Sequence, residues 1–249
     1  MPRETGKGGS GDLIEALLNR ISIRAKLFVI SIARLDFFNL PFNSQKVLGA
    51  EYLPFIINIM SKIIFYVHYN KNSDLHAHVL YQIKSLRNIY GRVVFISNSP
   101  LSLSHKKALS LHVDDIFERA NAGFDFYAWK EAIDREGYEN ISSYDSVTLM
   151  NDTCFGPLFD LEDAHDRMGL DPCDFWGMIN HRRGDEVIPE LGTNILEHVQ
   201  SFFLVFKRAV TQSSSWCSFW RGMECETDVY QVIAKYEVRL TQILRDAGF

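Results

Sequence analysis

The sequence predicts an α/β fold, a sheet of parallel strands with helices on its faces. Two observations carry this. Short runs rich in β-branched and aromatic residues, such as Ile63-Ile64-Phe65-Tyr66-Val67 and Val93-Val94-Phe95-Ile96, are apolar throughout, as strands buried on both faces are. Segments with helical spacing separate them through short connections, and that alternation belongs to parallel sheets.

In chain order, Met1 to Asp12 is glycine-rich and without an apolar run, so it reads as a flexible tail rather than a secretory leader. Its Gly6-Lys7-Gly8-Gly9-Ser10-Gly11 lacks the order of a phosphate loop, and no strand precedes it. Asp12–Asn19 has a short amphipathic pattern. Ile21–Leu40 and Val47–Ile59 are apolar but interrupted, and too short to span a bilayer. Arg20, Arg24, Lys26 and Arg34 could form the basic face of a helix lying on a membrane surface. The plainer reading of residues 1–61 is a tail with a helical or linker region.

The main domain spans residues 62–249. Its first strand, from Lys62, ends in the polar His68-Tyr69-Asn70. A helix follows, with Leu75, Val79, Ile83 and Leu86 on one face, and Gly91 stops it. The second strand is Arg92–Asn98 and a short helix runs from Ser104 to Leu111. Val113–Arg119 is the third strand. Trp129, Ala132 and Ile133 share a face of the next helix, and Ser146–Met150 is the fourth strand. Beyond Pro157 the reading is a helix over Leu158–Met168, a short strand from Phe175, and a polar loop from His181 to Thr193. A strand over His198–Phe206 and helices over Ser213–Trp220 and Asp228–Ala247 complete the chain.

Two acidic positions sit where chemistry is built in such folds. Asp125 opens a helix, and Asn151-Asp152-Thr153 ends a strand. Ligands of open α/β sheets bind beyond the carboxyl ends of the strands. A metal–diphosphate site would stand there. The plain alternatives are an Asp helix cap and an Asn-Asp turn.

The formal net charge of -5 argues against a sequence-independent nucleic-acid binder. The four cysteines form no Cys-x-x-Cys pair, so neither zinc nor a disulfide framework is expected, and a reducing compartment is the default.

The residues also carry a resemblance. It runs through H-Y-N at 68–70, V-V-F-I-S-N-S-P at 93–100, N-A-G-F-D-F-Y-A-W-K at 121–130 and L-M-N-D-T-C-F-G-P at 149–157. It continues through C-D-F-W-G-M at 173–178, H-V-Q-S-F-F-L-V-F at 198–206 and Y-E-V-R-L-T-Q-I-L-R-D-A-G-F at 236–249. Together and in this order these resemble the rhamnan synthesis F family of glycosyltransferases. The resemblance implies a GT-A-like, Rossmann-type mixed sheet flanked by helices. It implies transfer of a sugar, typically L-rhamnose, from a nucleotide diphosphate donor to a growing cell-surface polysaccharide or lipid-linked glycan. The expected donor is deoxythymidine diphosphate rhamnose. The expected setting is the cytoplasm, with peripheral contact at the inner membrane surface. Family members often continue past Ala247-Gly248-Phe249, which implies a fragment. The alternative is a non-catalytic, glycosyltransferase-like subunit that binds a carbohydrate or a partner.

Under that resemblance Asp152 is the carboxylate of an imperfect acidic motif, holding a divalent metal (Mg²⁺ or Mn²⁺) on the donor diphosphate. One or two protein carboxylates suffice for Mg²⁺. His68, Tyr69 and Asn70 would lie at the base and ribose, with Tyr69 stacking. Asn121, Gly123, Asp125 and Asn151 would line the donor pocket, and Gly123 would let backbone approach the nucleotide. Asp174 is the first candidate for general base and His198 the second, with Glu162 or Asp185 behind them; a structural histidine is the plain reading of His198. Arg182 and Arg183 would clamp the diphosphate, or form a solvated turn. Trp216, Phe219 and Trp220 offer an acceptor platform or core packing. Phe124, Phe126, Phe155 and Trp176 would supply the apolar wall that reads a sugar methyl group.

Overall fold

The computed structural model describes residues 61–182, 187–188 and 193–249. The N-terminal segments read above, the Arg183 half of the arginine pair and Asp185 lie outside the described residues.

Five strands follow the expected alternation: β1 (Lys62–His68), β2 (Arg92–Ser97), β3 (Asp115–Glu118), β4 (Ser146–Asn151) and β5 (Phe175–Gly177). Between them lie α1 (Ala77–Leu86), α2 (Leu103–Leu109), α3 (Phe124–Glu136), α4 (Tyr138–Ile141) and α5 (Leu161–Leu170). Two-residue strands β6 (Asn180–His181), β7 (Val187–Ile188), β8 (Thr193–Asn194) and β9 (His198–Val199) precede β10 (Phe203–Lys207). Helices α6 (Arg208–Thr211), α7 (Ser214–Arg221) and α8 (Val229–Val232), a π-helical turn (Ile233–Glu237) and α9 (Val238–Asp246) end the chain.

The main sheet has the order β3-β2-β1-β4-β10-β5. β1 to β4 are parallel, and β10 runs antiparallel between β4 and β5, so the sheet is mixed. Alternation along β1 divides the core. Ile63, Phe65 and Val67 face Trp129, Ile133, Trp216, Trp220 and Leu244 on one side. Ile64 and Tyr66 face Val79, Ile83, Leu86 and Trp176 on the other. Among the described residues no helix is long and apolar enough to cross a membrane.

Two expected elements are interrupted. The strand expected over His198–Phe206 breaks at Ser201-Phe202, where the Glu237 carboxylate accepts from both the Ser201 N–H and hydroxyl at 2.9 Å. The final helix, expected unbroken, widens at Ile233–Glu237. Both departures meet at Glu237. A tertiary hydrogen bond of this kind leaves no mark in local periodicity.

Candidate functional site

Chain direction reverses about β1. From β1 the chain builds outward through β2 and β3, then returns to place β4 on the other side of β1. The crevice beyond the carboxyl ends of β1 and β4 is therefore the topological switch point, where ligands of open α/β sheets lie. Tyr69 and Asp152 stand just past those two ends, and the Tyr69 N–H donates to Asp152 Oδ2 at 3.2 Å.

Asp152 keeps 20% of its side chain exposed. Burial raises its pKa, opposed by the His68 imidazole and the Tyr69 N–H. The loop behind it is anchored from α1, where Gln82 donates to the Cys154 carbonyl at 2.6 Å and Tyr81 to the Pro157 carbonyl at 3.1 Å.

Asp125 joins this edge from the first turn of α3. The N-cap of that helix is Gly123, with no side-chain cap, so the expected capping role of Asp125 is not taken. Instead Asn151 donates to Asp125 Oδ2 at 2.7 Å. The other end of the Asn151 amide accepts from the Thr153 N–H at 3.1 Å. Asn151 is thus both the plain turn residue and the strut of Asp125. Burial pushes the Asp125 pKa up to about 6; the carboxylates of Asp152 and Glu237 add to the rise, while Asn151 and Arg119 oppose it.

Two residues of this network escaped the sequence reading. Arg119 is nearly buried and donates to Asn98 Oδ1 at 2.8 Å and to the Ala122 carbonyl at 2.6 Å, bracing the loop that leads into α3. Glu237 secures the Ser201 turn, and the Asn151 N–H donates to the Phe202 carbonyl next to it at 3.2 Å. The available signal was a carboxylate four residues after Ile233, on the apolar stripe of the last helix.

The other expectations divide. Tyr69 is 48% exposed beside Asp152, free to pack on a flat ring. His68 is buried instead, its Nδ1 3.0 Å from Ser97 Oγ and its Nε2 donating to the Asp74 carbonyl at 3.1 Å. Burial lowers its pKa, and its Nε2 also lies 4.0 Å from Asp152 Oδ2, so it backs that carboxylate at the strand end. Asn70 is committed to its own turn, accepting from the Asn72 N–H at 2.8 Å. Asn121 is exposed on the β3–α3 connection.

Gly123 has φ +69, and a Cβ there would approach the Tyr127 ring to 2.9 Å and Cys225 Sγ to 3.2 Å. Its missing side chain is needed by the chain's own packing, which adds a reason for glycine beyond the expected one.

The expectation for Asp174 is corrected. β5 is parallel to β4, and Asp174 precedes its first residue. The Lys207 N–H donates to the Asp174 carbonyl at 2.9 Å, and Lys207 pairs with Ser146, the first residue of β4. Asp174 therefore lies at the amino edge of the sheet, about 20 Å from Asp152 at about 3.3 Å per strand residue. The Asp-Phe-Trp-Gly string shows that a strand is near, but not which way it runs.

His198 takes the structural role. It is 5% exposed, donates from Nδ1 to the Leu196 carbonyl at 2.7 Å, and stacks on His181 with ring centres 5.0 Å apart. Arg182 is exposed, and its charge acts on Glu197, which also holds Asn180 and Arg245. Trp216 and Trp220 are fully buried and form core, not an acceptor platform. Phe126 and Trp176 are buried as well, so of the expected apolar wall Phe155 is the exposed member, at 79%. Phe155 lines a cavity of about 280 Å³ with Met150, Pro157, Met178 and Phe202.

Among the described residues no three His, Cys, Asp or Glu side chains converge on one point as a metal centre. What the edge offers is Asp152, with Asp125 near enough for their charges to interact.

Comparison with known proteins gives one family and several distant likenesses. Residues 93–249 match the family described as rhamnan synthesis protein F. The protein y4gN of Sinorhizobium fredii, described as uncharacterized, is 27% identical over 157 residues. That match covers 63% of this chain and 39% of the relative, so the chain spans well under half of that relative's length. Among solved structures, the mannosyltransferase Ktr4p of S. cerevisiae in complex with GDP aligns over 72% of this chain and 64% of its own, at 11% identity and TM-score 0.38. A 4-diphosphocytidyl-2C-methyl-D-erythritol synthase from Anaerococcus prevotii aligns over 72% of this chain and 84% of its own, at 9% identity and TM-score 0.39. With the family matched from the second strand to the final phenylalanine, this chain belongs to the rhamnan synthesis protein F family.

Proposed function

We propose that residues 62–249 form a glycosyltransferase domain. It transfers a sugar from a nucleotide diphosphate donor to a surface polysaccharide or lipid-linked glycan. The observation that carries this reading is the junction at the switch point, where the Tyr69 N–H meets Asp152 with Asp125 braced beside it by Asn151. Family membership makes a glycosyl donor the diphosphate ligand to test first.

Each residue has a role in this reading. Tyr69, exposed at the end of β1, packs on the nucleoside base. Asp152 and Asp125 form an anionic pair whose proton affinities are both raised, which fits a cation between protein and diphosphate. Mg²⁺ or Mn²⁺ would be held by Asp152, with phosphate and water oxygens completing its shell. Bound there, the ion supplies Lewis-acid stabilisation of the departing diphosphate. Asp125 takes over the proton-accepting role expected of Asp174. In the metal-free chain burial pushes this carboxyl's pKa up to about 6, so it is ionised at neutral pH and retains affinity for an acceptor proton; a cation on Asp152 would offset the part of the rise due to the Asp152 charge. Deoxythymidine diphosphate L-rhamnose is the donor proposed, with Phe155 the apolar surface for the sugar methyl. An apolar wall discriminates by only about a hundredfold, so the expectation is preference, not absolute selection.

The test is calorimetric binding and donor hydrolysis with deoxythymidine and uridine diphosphate sugars, with and without Mg²⁺ or Mn²⁺. Preferred use of the rhamnose donor supports the full reading. Better use of a uridine diphosphate hexose removes the rhamnosyl part only. Failure to bind any nucleotide sugar favours the non-catalytic alternative.

A further inference from the structure

The amino edge of the sheet carries a second group of polar side chains. Lys62, Ser146 and Lys207 are register partners across β1, β4 and β10, Lys62 opposite Ser146 and Ser146 opposite Lys207. Alternation places all three on the face of Ile64, Met150 and Val205, which α5 covers. They line a cavity of about 400 Å³, together with Trp176, His165, Leu170 and the carboxylates of Asp145 and Asp166. That volume suits a small organic ligand.

The donors of this row are not used up. Ser146 is 8% exposed, and its hydroxyl has no hydrogen-bond partner. Buried polar groups seldom stand alone in native folds. Lys207 donates one N–H to the Asp171 carbonyl at 2.6 Å and has two more. Burial lowers the pKa of Lys62, while Asp166, Glu162 and Asp145 raise it as charges rather than as hydrogen-bonded partners. Asp145 is engaged by Arg208 at 2.7 Å. His165 is neutral, its pKa pushed down to about 3 by burial, and its Nε2 is 2.7 Å from the Tyr90 hydroxyl. The cavity thus offers spare N–H and O–H donors in a row beside an apolar wall; of its two carboxylates Asp145 is paired with Arg208, and Asp166 faces the same space.

We propose that this cavity is a second ligand site, binding a sugar-sized molecule that carries a carboxylate or phosphate. The oxyanion sits on the Lys62–Ser146–Lys207 row, and the body of the ligand packs on Trp176 and Leu170. The site is about 20 Å from Asp152, the length of β4. It does not share residues with the proposed donor site.

Calorimetry on the full chain tests this with glucose 6-phosphate, glucuronate and neutral glucose as probes. One of the two anionic sugars is expected to bind saturably and more tightly than glucose; which one binds tells phosphate from carboxylate. Lys62→Met should weaken binding by about tenfold, the loss of a charge-assisted contact. Ser146→Ala should weaken it by about fivefold, and it removes a hydroxyl that holds nothing in the fold, so it serves even if Lys62→Met does not fold. Asp152→Ala should leave it unchanged. The proposal is overturned if neither anionic sugar binds, if Ser146→Ala binds as tightly as the parent chain, or if binding is lost in Asp152→Ala. None of these outcomes depends on whether a nucleotide sugar is turned over.

Discussion

Asp152 and Asp125 differ in what holds them, and that separates their expected behaviour on mutation. Asp152 accepts the Tyr69 N–H and keeps 20% of its side chain exposed, with no other side chain hydrogen-bonded to it among the described residues, so Asp152→Ala should leave cooperative unfolding intact. Under the proposed function it should lower turnover by about a hundredfold or more, since losing a group that stabilises developing charge costs roughly 3 kcal/mol. A folded variant with near-normal turnover would remove Asp152 from the mechanism. Asp125 has a stability signature. Its pKa rises on folding from 3.8 to about 6. Between those values the folded chain binds more protons than the unfolded one, so stability falls as pH rises through the window. Asp125→Asn removes that penalty and still offers Asn151 an acceptor. Its melting temperature should exceed the parent's at pH above about 6, with the advantage fading towards pH about 4. An advantage independent of pH would mean that the group titrates elsewhere. Both carboxylates were visible in the sequence because each ends or opens a regular element. Whether Asp125 capped its helix was not visible, because the competing donor, Asn151, comes from a strand 26 residues away.

At the scale of elements, α3 is the one whose position matters most to the crevice. Its entry uses two successive left-handed residues, Gly123 at φ +69 and Phe124 at φ 54. Gly123→Ala would bring a Cβ against Tyr127 in a conformation that costs an L-residue about 1 kcal/mol or more. A fall in melting temperature of at least about 3 °C is expected, measured by circular dichroism. No change would show that the entry to α3 can relax. Gly177 is needed for a different reason, closeness. A Cβ there would lie 2.6 Å from the Phe203 carbonyl, where β5 meets β10. The strands and their alternation with helices were legible, since Ile63–Val67 and Val93–Ile96 are apolar at every position. The direction of β10 was not. Apolar content and length are the same whichever way a strand runs, so the edge occupied by Asp174 followed from topology alone.

At the scale of the molecule, the last helical segment reaches back to the crevice through Glu237. That carboxylate holds the Ser201 turn, the neighbouring Phe202 carbonyl takes the Asn151 N–H, and Asn151 braces Asp125. Glu237→Ala should reduce turnover by about tenfold, the loss of two hydrogen bonds to a charged group, with a smaller effect in Glu237→Gln. Equal activity of parent and Ala variant would mean that the turn holds without its tether. β5 and β10 add a further consequence. Gly177 and Leu204 are paired neighbours, so the segment between these strands leaves the sheet and re-enters it on one edge, as the two ends of a closed loop. Lengthening such a loop costs little, about 0.6 kcal/mol per doubling. Asp152 and Asp125 belong to other parts of the chain. Under the proposed function, an insertion ahead of the Ser201-Phe202 turn can therefore change the acceptor served while that turn goes on bracing the carboxylate crevice.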